Sequence, residues 1–228
     1  EAVKDKAIVG VGLGQAFVLS RAAFLAETPR NTVHRWTSLC YAFLGDPVLN
    51  PHHHGKGYAV HTGWRHQPIA ADFLAFVDAD GSIAPADILR LLQLAVASDA
   101  AQLLLISSRK PSPTTVIRRR FLRRLLNRLF AHIVNFHFHL SVYDPQCGFK
   151  IISAPYFASI EPMLKEHGFI FDVELLAHAK ADGVTLREEP INWVHMEHNR
   201  IHLVKDGIQM LFDVARLRLR IAHERSSR

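Results

Sequence analysis

Apolar and polar residues recur along this chain with two different periods, and the switches between them lay out its elements. Phe73-Leu74-Ala75-Phe76-Val77 is an unbroken apolar run closed by Asp78-Ala79-Asp80-Gly81-Ser82, the pattern of a buried strand ending in a turn. Pro85-Ala86-Asp87 then opens a helix whose apolar positions Ile88, Leu91, Leu92 and Ala95 fall at helical spacing. Leu103-Leu104-Leu105-Ile106 reads as the next buried strand, ended by Ser107-Ser108-Arg109. Lys110 to Thr115 carries Pro111 and Pro113 and reads as a loop. From residue 55 onward strand-like and helical runs alternate, which predicts an α/β fold: a mostly parallel sheet with helices on its faces. No internal repeat or low-complexity tract interrupts this order.

Ile117 to Leu140 differs in kind. Phe121, Leu122, Leu125, Leu126, Leu129, Phe130, Ile133 and Val134 form one stripe at helical spacing, while Arg118, Arg119, Arg120, Arg123, Arg124 and Arg128 crowd the remainder with no acidic residue among them. The segment predicts a basic amphipathic helix. Such a helix either packs its stripe on the sheet or lies in a membrane interface, where each Lys or Arg near anionic headgroups gains about 1 kcal/mol. Arg216, Arg218 and Arg220, after the helical run Ile208 to Ala215, suggest a second basic patch. Ala7 to Leu25 is apolar apart from Gln15, Ser20 and Arg21, so a membrane span is one reading and a phosphate-cradling turn at Gly10-Val11-Gly12-Leu13-Gly14 another. A buried strand and tight turn is the reading preferred here.

Composition narrows the partners. The chain has 228 residues, 49% hydrophobic and 21% charged, as expected of one globular domain. Lys and Arg exceed Asp and Glu by 27 to 21, and the formal charge of +6 favours anionic partners. Cys40 and Cys147 lie far apart, which suggests neither a disulfide framework nor a zinc knuckle and fits a reducing compartment. His52-His53-His54 reads as a surface loop, because consecutive residues converge poorly on one ion. The chain begins at Glu1 rather than a methionine, which is compatible with a fragment.

The chemistry centres on Asp78 and Asp80. Two carboxylates at the carboxyl end of a strand lie where open α/β sheets bind ligands. Their hard oxygens suit Mg²⁺ or Mn²⁺, which take further ligands from water and substrate phosphates. A solvated turn is the plain alternative. Downstream stand Asp144-Pro145-Gln146-Cys147-Gly148-Phe149-Lys150, Phe171-Asp172-Val173-Glu174-Leu175-Leu176 and Pro190-Ile191-Asn192-Trp193. Gln146 and Lys150 have polar ends able to meet a ligand, Cys147 reads as a turn residue rather than a nucleophile, and Asp172 and Glu174 could fix arginines or orient sugar hydroxyls.

Together with Gly55-Lys56-Gly57-Tyr58-Ala59-Val60 and the Asp-x-Asp, these motifs resemble, in order and spacing, glycosyltransferase family 2, in its dolichyl-phosphate or polyprenyl-phosphate β-glucosyltransferase and mannosyltransferase branch. The resemblance covers residues 54–220 of a single domain 1–228 and leaves 1–53 as a divergent or truncated nucleotide-binding part. It implies a GT-A-type, Rossmann-like fold and inverting transfer of a hexose from a UDP- or GDP-sugar to polyprenyl (dolichyl) phosphate. It further implies an anionic membrane surface rather than nucleic acid as partner. The place would be a cytoplasmic face, of the endoplasmic reticulum in a eukaryote or the plasma membrane in a bacterium.

By the resemblance, Asp78 and Asp80 hold the metal, Gly55, Lys56 and Gly57 lie near the donor, and Arg109 with Arg118, Arg119 and Arg120 meets donor and acceptor phosphates. An acceptor phosphate is already anionic, so leaving-group stabilisation rather than a strong base is what the reaction needs. The family's opening Pro-x-Tyr-Asn-Glu strand and its Asp-Asp-Gly-Ser strand are absent. That departure keeps a non-catalytic homologue, or a basic peripheral membrane protein, as the alternative. Val77-Asp78-Ala79-Asp80-Gly81-Ser82 also resembles the first motif of haloacid-dehalogenase-type phosphatases, whose later paired aspartates are not evident.

Overall fold

The described residues form eight strands: β1 (Ile8–Gly12), β2 (Gln15–Leu19), β3 (Phe73–Val77), β4 (Leu103–Ser108), β5 (Ile117–Arg118), β6 (Phe149–Ser153), β7 (Thr185–Pro190) and β8 (Trp193–Val194). The helices are α1 (Lys56–Arg65), α2 (Pro85–Ala97), α3 (Phe121–Phe138), α4 (Ala154–Ile160), α5 (Phe171–Ala181) and α6 (Leu203–Ser226). This computed structural model describes residues 8–12, 15–19, 55–65, 71–78, 82–98, 103–118, 121–194 and 203–226. Asp80, Arg119, Arg120, Cys40 and His52-His53-His54 lie outside the described residues, as does the side chain of Arg118.

Six strands form one sheet in the order β2-β1-β3-β6-β4-β7, and β5 pairs with β8 alongside it. β1, β3, β4 and β7 run in one direction, while β6, inserted between β3 and β4, and β2 at the edge run in the other. The sheet is therefore mixed, with its central direction parallel. Residues 7–25 resolve, where described, into the antiparallel pair β1 and β2, which is the strand-and-turn reading.

The unbroken apolar runs are explained by two cores, one on each face of the sheet. Phe73, Ala75, Leu103, Leu105, Phe149 and Ile151 pack with Leu91, Leu92 and Ala95 of α2. Leu74, Phe76, Leu104, Ile106 and Ile152 pack with α1, α4, α5 and parts of α3 and α6. Alternate residues of each strand go to opposite faces, and both faces are covered, so nothing polar is tolerated along β3. Each fully buried leucine or phenylalanine contributes about 1.5–3 kcal/mol relative to exposure.

The predicted helix from Ile117 to Leu140 differs from the observed one at both ends. Ile117 and Arg118 form β5, and His139 adopts a left-handed backbone, φ 52°, that stops α3 after Phe138. Its stripe also divides. Phe130, Ile133 and Val134 enter the core, whereas Leu125 and Leu129 are 56% and 58% exposed and Phe136 is 74% exposed. The C-terminal basic patch is largely neutralised: Arg216 pairs with Glu166 and Asp213, and Arg220 with Glu166, Glu174 and Glu224. Arg218 donates to the ring and carbonyl of His137, tying α6 to α3. Among the described residues no helix is long and apolar enough to cross a membrane.

Candidate functional site

Asp78 is the first residue past β3, at the carboxyl end of the parallel strands. Its N–H donates to the carbonyl of Gly148 at 2.7 Å, continuing the β3–β6 ladder by one step. That step puts residue 148 directly against the Asp78 carboxylate: a Cβ on Gly148 would overlap Asp78 Oδ2 and Cγ. Only glycine leaves the recess open. The Asp78 side chain is 29% exposed, and it is the end of a buried chain of charges.

That chain runs inward from Asp78. Lys56 Nζ lies 3.2 Å from Asp78 Oδ1 and donates to Asp172 Oδ2 at 2.9 Å; Lys150 Nζ donates to Asp172 Oδ1 at 2.6 Å and to the Cys147 carbonyl at 2.9 Å. Both ammonium groups also face the Phe76 ring, at 4.8 and 5.4 Å from its centroid. Burial works against the charge of Lys56, but Asp172 and Asp78 outweigh it and hold its pKa well above the usual lysine range. Burial likewise opposes ionisation of Asp172, and Lys150 and Lys56 overcome it, so its pKa is lowered. Two ammonium groups and two carboxylates thus balance within the fold.

The glycines beside Lys56 have a packing role. Gly55, at φ 100°, and Gly57 press on the backbone of Glu166 and His167, where a Cβ on either would overlap a carbonyl oxygen. Tyr58 N–H donates to the same His167 carbonyl at 3.2 Å. The close approach seats the start of α1 against the 166–171 segment and so brings Lys56 within reach of Asp172 on the first turn of α5. Glu174, two residues on in the same first turn, is fully buried and accepts from the N–H groups of Lys165 and Glu166 and from Arg220 Nη2. Its pKa is raised, burial outweighing those bonds.

Arg109 follows β4 at the same end of the sheet. Asp144 grips it with both oxygens, from Nε at 2.5 Å and Nη2 at 2.7 Å, and also accepts its backbone N–H. The guanidinium stands 5.3 Å from the Trp193 ring centroid. Burial disfavours its charge, Asp144 more than compensates, and the pKa is raised. Cys147, in the same turn, is buried and its thiol is pushed up to about 11, first by burial and then by Asp144, so it is no nucleophile at neutral pH.

No family model matches the chain. It is 31% identical over 176 residues to the dolichyl-phosphate beta-glucosyltransferase of Saccharomyces cerevisiae, a match covering 72% of this chain and 52% of that protein. The chain is thus similar in sequence to dolichyl-phosphate beta-glucosyltransferases. The enzyme of that name from Dictyostelium discoideum is 31% identical over 105 residues, 46% of this chain and 32% of that one. The chain therefore spans about half the length of the yeast protein, or less of the other. Glucosyl-3-phosphoglycerate synthase from Mycobacterium tuberculosis, solved with Mn²⁺, uridine-diphosphate-glucose and phosphoglyceric acid, has the same fold: TM-score 0.53 at 14% identity over 72% of this chain and 55% of that one. The fold is GT-A-type, as the motif order implies.

Within this glycosyltransferase fold the described candidates gather at one end of the sheet, in two groups. Asp78, Lys56, Gly55, Gly57, Lys150 and Asp172 form one, and Arg109 with Asp144 the other. Lys150 and Glu174 are fully buried and bind protein groups, so neither presents its polar end to solvent. Gln146 is half-buried on the turn between the two groups. Sequence reasoning missed the anchors behind Arg109. Glu188 on β7 accepts the N–H groups of Tyr143 and Asp144 at 2.9 and 2.8 Å. Asp87 on α2 accepts both N–H and Nδ2 of Asn192 and also takes Arg90, while Asn192 Oδ1 accepts Val116 N–H. Two acidic residues in β7 and one in the first turn of α2 were the available signals, and each is also an ordinary surface pattern.

Proposed function

We propose that this chain transfers a hexose from a nucleotide sugar to the phosphate of a polyprenol, dolichyl phosphate in particular, with inversion and at a membrane surface. The similarity to the yeast enzyme carries this reading, and that enzyme's name makes glucose the sugar to try first, with UDP or GDP as the carrier. Mg²⁺ or Mn²⁺ fits Asp78: a hard oxygen ligand at a strand end, partly open to solvent, in a recess that a side chain at position 148 would fill. Asp80 is the second ligand on the sequence argument. A divalent cation there would supply positive charge to the leaving diphosphate.

The chain's own groups then have defined work. The acceptor phosphate oxygen attacks the anomeric carbon from the face opposite the diphosphate; the new carbon–oxygen bond forms as the bond to the diphosphate breaks, and no proton need be removed. Arg109, fixed by Asp144 and the Trp193 ring, is a preorganised cation for phosphate at this end of the sheet. Arg118, Arg119 and Arg120 follow it in the chain and are assigned to the acceptor phosphate by the family pattern.

The exposed residues Leu125, Leu129 and Phe136, with exposed Arg124 and half-buried Arg128 beside them, support placing α3 against an anionic membrane surface; the cytoplasmic face is proposed with it from the family pattern. The deciding experiment is radiolabelled transfer to dolichyl phosphate from UDP-glucose, GDP-mannose and other nucleotide sugars, with Asp78→Asn alongside. Metal-dependent transfer that the variant loses is expected. Transfer undiminished in excess chelator, or in the variant, would overturn the metal assignment, and no lipid-linked product with any donor would overturn the reading.

A further inference from the structure

We propose that Lys56 is a resident counter-ion of Asp78 that makes cation entry at this carboxylate depend on the donor's diphosphate, an inference that rests on the metal-dependent transfer proposed above. Lys56 cannot step aside. Its ammonium is held from behind by Asp172, itself buried and held by Lys150, and its stem begins at the glycine-seated start of α1. Lys150, Asp172, Lys56 and Asp78 sum to zero without any ion bound, so the one ligand charge left to meet a cation is that of Asp80, the second ligand on the sequence argument. A divalent cation arriving alone would place two further positive charges next to an ammonium already 3.2 Å from Asp78 Oδ1. A diphosphate arriving with it restores the balance. Free cation should therefore bind weakly and nucleotide-accompanied cation strongly, and by linkage each should raise the other's affinity by the same factor.

Removing Lys56 tests this cleanly, because Asp172 keeps Lys150 at 2.6 Å and stays compensated. Mn²⁺ binding, followed by the electron paramagnetic resonance of the free ion, is titrated with and without UDP for the wild type, Lys56→Met, Lys56→Gln and Lys56→Arg, with circular dichroism on each. In the absence of UDP, Lys56→Met and Lys56→Gln should bind Mn²⁺ about tenfold tighter than wild type, the effect of removing one near positive charge in a partly solvated site. The gain from UDP should shrink correspondingly, and Lys56→Arg should restore wild-type behaviour. Unchanged or weaker Mn²⁺ binding in folded Met and Gln variants would overturn the proposal, and so would loss of fold in both, which would make Lys56 a structural tie. A wild type that binds no Mn²⁺ even with UDP would instead remove the metal assignment beneath it.

Discussion

Gly148 lies so close to Asp78 that the carboxylate occupies the space where any other residue would carry its Cβ. The contact follows from register, since β3 and β6 pair antiparallel with Val77 opposite Phe149, and the next rung joins these two residues. Gly148→Ala should push the carboxylate out of place while leaving both cores intact. Transfer should fall by roughly 100-fold, the scale of a misplacement of about 1 Å. Circular dichroism and thermal melting should change little. A Gly148→Ala protein with wild-type transfer would show that Asp78 has no fixed role.

Both buried lysines share the Asp172 carboxylate, so its neutralisation should be felt in stability as well as in the site. Asp172→Asn keeps the shape and leaves Lys150 with the Cys147 carbonyl alone. Breaking a buried pair in this way costs about 3–5 kcal/mol. Urea unfolding measures it, and a loss of well under 1 kcal/mol would contradict the charge chain.

The imidazole of His61 on α1 is buried against Phe171, its ring 4.8 Å from that ring, and its Nε2 has no hydrogen-bond partner among the described residues. Burial first, then Arg65 and His167, bring its pKa down from 6.5 to about 4. Between those values the unfolded chain takes up a proton that the folded chain refuses. Stability from this group is therefore complete above pH 6.5 and is lost as the pH falls toward 4. His61→Phe should flatten the decline across that window by roughly 2–3 kcal/mol. Identical pH profiles for the two proteins would contradict a buried neutral imidazole.

Asp87 bolts the Pro190-Ile191-Asn192-Trp193 segment to α2, and Asn192 in turn holds Val116. Asp87→Ala should cost about 1–3 kcal/mol, because buried donors lose their acceptor. Hydrogen exchange should quicken first at the amides of Val116 and Asn192, before the amides of β4. Uniform exchange across these segments would mean that the bolt carries no local load.

The exposed part of α3 can be altered without touching the core. Leu125, Leu129 and Phe136 changed together to Ser should leave unfolding unaltered and weaken binding to anionic vesicles, whereas Arg124→Gln with Arg128→Gln should lose about 1 kcal/mol per charge on anionic vesicles and little on neutral ones. Unchanged partitioning in both variants would remove α3 from the membrane.

The strands and α2 were legible because burial on both faces forces runs such as Phe73 to Val77, and a proline at a helix start is an unambiguous signal. The full extent of α3 was not, because an apolar residue at helical spacing looks the same whether it meets the core, like Val134, or solvent, like Leu129. The site was half legible. Motif order brought out Asp78, Arg109 and Asp172, but not that Asp172 faces two lysines or that Arg109 is clamped by Asp144, since pairings across 116 or 35 residues leave no local trace. Arg216 and Arg220 illustrate the converse: a run of like charge reads as an open patch until its partners on other elements are placed.

Arg220 of α6 donates to Glu174, and Glu174 accepts the N–H groups of Lys165 and Glu166, the segment on which Gly55 and Gly57 are seated. During synthesis α1 leaves the ribosome long before α6. Until residues 203–226 emerge, Glu174 has no guanidinium to meet, and the seat for Lys56 lacks its outer support. Helix α6 therefore sets the moment at which the nascent chain can complete its charge chain, and a polypeptide cut short of Arg220 would yield a sheet without a finished site.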